Sequence, residues 1–129
     1  MKSVKDLNVY KYGFQLALDI YKITEKFPKT EQFGLTQQMR RAAISINSNL
    51  SEGGSRNSSA EYRHFVGIAK GSAAELEFQI EISNKLGFVD DITAKNLVNS
   101  VIEIGKMLSG LCNSLQTTTN TSTNTSTNH

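Results

Sequence analysis

Four arginines carry the most discriminating positive charge in this chain: Arg40, Arg41, Arg56 and Arg63. All four fall within or beside the stretch Leu35 to Ile80, in which two helical patterns meet at Gly53-Gly54. Elsewhere the positive charge is lysine. A guanidinium is a planar fork suited to bidentate contact with carboxylate or phosphate. Two kinds of chemistry fit the cluster. In the first, Arg40, Arg41, Arg56, Arg63 and Lys70 contact a phosphodiester backbone, chiefly without sequence preference. Arg63 and Lys70 are seven residues apart and share one helical face, with Gly67 between them to admit a partner. In the second, the arginines are architecture. A hairpin centred near Ser55 sets Arg40 level with residues 70 to 75, so Glu75 is the expected partner of Arg40 or Arg41, and Glu52 of Arg56 or Arg63. Arg40 and Arg41 are adjacent on a helix, about 100° apart, and point in different directions.

Other candidate chemistry is thinner. Gly53-Gly54-Ser55-Arg56 leads into a helix start, where free N–H groups suit a phosphate. An ordinary turn with donors satisfied by Ser58 and Glu61 is the simpler reading, and P-loop glycine spacing is lacking. Glu61-Tyr62-Arg63-His64 matches the E-x-x-H of di-iron bundles, but such sites need two of these motifs. The only other histidine is His129, so no metal site is expected. Cys112 is the sole cysteine. It lies on an apolar stripe and reads as a buried structural thiol. No catalytic residues and no cofactor are expected.

The elements that position these residues follow from periodicity. Helix one spans about 3–26, with Val9, Gly13, Leu16, Ile20, Ile23 and Phe27 on one face and Phe14, Ala17 and Tyr21 widening the stripe. Pro28 stops it. Helix two spans about 31–52, with the seam Leu35, Met39, Ala42, Ile46 and Leu50. It is rich in Ser and Asn, which are weak helix formers, so packing must hold it. Gly53-Gly54 ends it. Helix three spans about 59–86 and opens with the capping box Ser58-Ser59-Ala60-Glu61. Its face is Tyr62, Phe65, Ala69, Ser72, Leu76, Ile80 and Ser83. Helix four spans about 91–116, capped by Asp90 or Asp91, with the seam Leu97, Val101, Ile104, Leu108, Leu111 and Leu115. The Thr/Ser/Asn-rich stretch 117–129 reads as a disordered tail. Residues 1–116 thus read as an all-α, antiparallel up-down four-helix bundle.

Ile44, Val66, Phe78 and Ile82 lie off the main seams, and Gly67, Gly71, Ala73 and Ala74 form a small-residue cluster. Both features fit either an oligomer or a broad helix in a single bundle. The net charge is only +2, but five cations from Arg40 to Lys70 precede five acids from Glu75 to Asp91. That asymmetry suits nucleic-acid contact or association of unlike surfaces. The N-terminus lacks a signal-peptide core and no apolar run reaches the length of a spanning helix, so a reduced, cytoplasmic protein is expected.

Over about Val4 to Leu115 the chain closely resembles the bacterial four-helix-bundle proteins encoded in intervening sequences of 23S ribosomal RNA genes. These are related to the accessory variability determinant of diversity-generating retroelements. The resemblance rests on an ordered set: Phe27-Pro28 with Glu31, Leu35-Thr36 with Gln38, Arg40-Arg41-Ala42, Ser51-Glu52-Gly53, Gly71-Ser72 with Glu75-Leu76, and Leu86-Gly87. It implies a ring-shaped homopentamer and, from the retroelement relatives, association with nucleic acid and a protein partner. It supplies no catalytic residues. The slight net charge departs from the strongly basic retroelement relatives.

Overall fold

A computed structural model describes residues 3–119. Helices make up its regular structure: α1 (Asn8–Thr24), α2 (Leu35–Gly54), α3 (Ser59–Lys85) and α4 (Asp91–Thr119), with one-turn 3-10 helices at Val4–Asp6 and Lys29–Glu31. The disorder expected of 117–129 concerns, from residue 120 on, a segment outside the described residues.

The ends of these helices follow local chemistry. Ser3 accepts from the Lys5 N–H and caps the first 3-10 turn, and extended backbone at Leu7 separates that turn from α1. Helix one is thus two pieces. At its far end α1 stops at Thr24, before Pro28, whose ring disfavours helix at the preceding residue. The Ser58 hydroxyl accepts from the Glu61 N–H at 3.1 Å, as the capping box requires. Gly87, at φ +85°, turns the chain out of α3. Asp90 starts α4 by accepting from both the N–H and the hydroxyl of Thr93, and these bonds hold its carboxyl below the usual carboxylate range.

The helices pack as a four-helix bundle. α1 lies against α2 and α4, and α3 lies against the same two, while the diagonal pairs are not neighbours among the described residues. The core is drawn from every helix: Leu16 and Ile20, Met39, Ile46 and Leu50, Leu76 and Ile80, Val101, Ile104 and Leu108 are all essentially inaccessible. Phe27 and Phe88 meet with ring centroids 5.3 Å apart at one end of the bundle.

Other expectations change. Gly53 and Gly54 lie inside α2 and do not end it. Gly53 is buried because α3 runs against it: a Cβ there would stand 2.9 Å from the Tyr62 ring and 3.0 Å from the Phe65 Cβ. Val66 is fully buried, whereas Phe14 and Tyr21, expected to widen the core stripe of α1, are exposed. Thr24 takes the buried position that closes the α1 stripe, its hydroxyl bonded back to the Ile20 carbonyl at 2.7 Å. Cys112 is half-buried rather than buried. Ala73 faces the core, apart from exposed Gly67, Gly71 and Ala74.

Candidate functional site

The arginines divide by what they touch. Arg40 reaches from α2 to α1. Its Nε donates to Thr24 Oγ1 at 2.8 Å, its Nη2 donates to the Tyr21 carbonyl at 3.2 Å, and its guanidinium lies 4.5 Å from the Tyr21 ring centroid. The expected partner Glu75 is not involved; it accepts from Gln79 within α3. The reason is angular: Arg40 leaves α2 on the side facing α1, not α3. Arg41, one residue on, is exposed and has no hydrogen-bond or ion-pair partner among the described residues.

Arg56 sits in the turn after α2 and pairs with Glu52, one of the two pairings expected for that carboxylate, while its guanidinium lies 4.8 Å from the Phe65 ring centroid. Arg63 is half-buried on α3, and Lys70 is exposed on the same helix. Lys70 lines an open groove between α3 and α4 together with Lys106, Ala74, Glu77 and Gly105.

These five residues do not form one patch. Roughly 24 Å of helix rise separates Arg40 from the turn bearing Arg56. Lys70 faces α4, on the far side of α3 from α2. The turn after α2 offers no second cation beside Arg56, whose charge Glu52 already meets. His64 is exposed and stacks edge-on against Phe65. No group of three or more potential metal ligands occurs among the described residues.

A different feature stands out on the α1–α2 side. Phe14, Leu18 and Tyr21 of α1 and Ile44 of α2 line a trough of about 720 Å³. It continues past Tyr21, Ile44 and Ser48 into a second depression of about 670 Å³ that reaches Phe33 and Arg41. Phe33 is 82% exposed and Phe14 57%. Beneath the trough, Asn47 donates to the Tyr10 carbonyl at 2.8 Å, and its Oδ1 lies where a Cβ on Gly13 would stand. The close fit of α1 on α2 thus needs both Gly13 and Asn47. The sequence signal for the trough was the number of large apolar residues on α1, which exceeds what one buried stripe can hold. Periodicity alone makes these residues one wide stripe.

Fold and surface together define a helical bundle with large apolar side chains on its outside. The chain belongs to the 23S rRNA-intervening sequence protein family, whose model matches residues 5–110. Among solved structures it is similar to a protein of unknown function of the S23 ribosomal protein family from Bacteroides thetaiotaomicron. The TM-score is 0.75 at 22% identity, covering 81% of this chain and 97% of that one. At that identity the likeness concerns the fold alone. Comparison with the curated proteins finds no match. No helix among the described residues is long and apolar enough to cross a membrane.

Proposed function

We propose that this is a non-enzymatic, self-associating scaffold of the cytoplasm: an antiparallel up-down bundle that builds a homo-oligomer, with five copies to a ring as the resemblance implies. The observation that carries this reading is the amount of large apolar surface left outside the core. Phe14, Leu18, Tyr21, Phe33 and Ile44 gather on one side, and Phe78 and Ile82 lie exposed on α3. Contiguous exposed apolar patches are uncommon on monomers and mark association surfaces. Arg40 and Arg56 fit the same reading, since both are engaged inside the fold. Sedimentation equilibrium of the purified protein tests it. A mass several times that of the chain is expected, and a monomer at every accessible concentration overturns the proposal.

A second reading is contact with nucleic acid or a ribonucleoprotein through a basic surface. Its support is the groove shared by Lys70 and Lys106, with Arg63 seven residues before Lys70 on the same helix. Assembly would repeat that groove around the oligomer. Titration of labelled RNA and DNA across salt tests it. The logarithm of affinity should fall linearly with the logarithm of salt, by about 0.7 to 0.9 per phosphate engaged. Failure to bind at low salt removes this reading.

A further inference from the structure

We infer that the trough between α1 and α2 is the seat for the exposed ridge of α3 on a second copy of this chain, so that copies join head to tail. The inference rests on the self-association reading and specifies its two faces.

The ridge is Gly71, Ala74, Phe78 and Ile82, spaced three, four and four residues apart and so aligned on one strip of α3. Phe78 is 62% exposed. A Cβ built on Gly67 or Gly71 meets nothing within 4 Å, so the α3 backbone is open to close approach there. The ridge is convex: one aromatic ring and one branched side chain rising beside small residues. The trough is concave, with small Ala17, Ala43 and Ser48 between the walls made by Phe14, Leu18, Tyr21 and Ile44. A buried aromatic anchor in a fitted apolar pocket is the usual energetic centre of an interface.

Charge matches shape. Lys11, Phe14, Leu18 and Lys22 share a strip of α1 at the same three-four-four spacing, so exposed lysines flank Phe14 and Leu18, with Glu25 one step beyond Lys22. Arg41 borders the other wall. Beside Phe78 stand exposed Glu75 and Glu81, and Lys85 follows Ile82 at the far end of the strip. Among the described residues, Lys11, Lys22, Arg41, Glu75 and Glu81 have no ion-pair partner. Glu52 also lines the trough, but Arg56 neutralises it. At the apolar centres of the two faces, a trough meeting a trough would set Lys11, Lys22 and Arg41 against their like, and a ridge meeting a ridge would set Glu75 and Glu81 against theirs. Trough on ridge sets unlike charges together, which selects this pairing over the two symmetric ones. Because the two faces differ and sit on one chain, the contact is heterologous and repeats until a ring closes or a filament grows.

Ile44→Asp spoils the trough and Phe78→Asp spoils the ridge. Both residues are exposed, and circular dichroism melting checks that each variant is folded; Ile82→Asp replaces Phe78→Asp if the latter is not. Sedimentation is then measured for the full chain, for each variant and for an equimolar mixture. Wild type is expected to be oligomeric and each variant monomeric. The mixture is expected to form dimers and nothing larger, because one intact ridge meets one intact trough. A variant that keeps the wild-type mass, or a mixture that stays monomeric, overturns the assignment of faces. A monomeric wild type overturns the self-association reading itself.

Discussion

α2 is held on its two sides by different means. Toward α3 the contact is close and the side chains are small: Gly53 lies against Tyr62, Ser45 shares a hydrogen bond with Ser72 at 2.8 Å, and the Ser83 hydroxyl lies 3.3 Å from the Met39 sulfur. Toward α1 longer polar side chains reach across. Arg40 holds the Tyr21 carbonyl and Asn47 the Tyr10 carbonyl. One seam is therefore governed by volume and the other by hydrogen bonds from α2 side chains to main-chain carbonyls of α1. The contrast explains why α2 can be rich in Ser and Asn and still be a helix: its weak local propensity is offset by contacts on both flanks.

The seam with α3 should be the more sensitive to added or removed volume. Leu76→Ala removes a fully buried side chain and is expected to cost about 2–5 kcal/mol. Gly53→Ala adds one methyl where the Tyr62 carbonyl would stand 3.1 Å away, and should cost about 1–3 kcal/mol by overpacking. Chemical denaturation of each variant measures both. A Gly53→Ala protein as stable as wild type would show that the seam relaxes and that volume does not govern it.

The seam with α1 is best tested by the adjacent arginines. Arg40→Ala loses two charge-assisted bonds and an aromatic contact, for an expected cost of roughly 1.5–3 kcal/mol. Arg41→Ala, at an exposed position, should change monomer stability by less than about 0.5 kcal/mol. Hydrogen exchange sharpens the comparison: amides of α1 should lose protection in Arg40→Ala, ahead of those in α3. Equal effects of the two substitutions would mean that the contacts with Thr24 and Tyr21 contribute nothing in solution.

These pairs also show what can be read from a sequence and what cannot. The α3 face was legible at Ala69, Ser72, Leu76, Ile80 and Ser83 because a regular period and the Ser58 cap are local properties. Gly53 was not legible. A glycine that ends a helix and a glycine that admits a neighbouring helix are the same residue, and only the approach of Tyr62 separates them. Arg40 reads from the sequence either as a phosphate contact or as a tie between helices, and its partner is not legible, because the hairpin register gives height along α2 and says nothing of which side the side chain leaves. Phe14 and Tyr21 were misassigned for the opposite reason: periodicity marks them as apolar neighbours of the stripe, and the width of the buried strip depends on how far α2 and α4 stand apart. The five cations were legible as a cluster along the chain, yet helices spread them over different flanks of the bundle.

The smallest expected effect lies away from both seams, at the start of α4, and separates local capping from helix packing. Thr93 donates twice to Asp90 and holds its carboxyl below the usual range. The proton is therefore bound less readily in the folded state than in the unfolded one. The stabilisation is fully present above the unfolded carboxylate range and is lost as pH falls through the lower folded value. Asp90→Asn retains a capping oxygen but cannot titrate. Melting temperatures across the acid range should fall less steeply for this variant than for wild type, while the two run in parallel at neutral pH and above. Identical acid slopes would mean that Asp90 is free of Thr93 in solution, and that α4 is held in place by Leu97, Val101 and Ile104 without help from its cap.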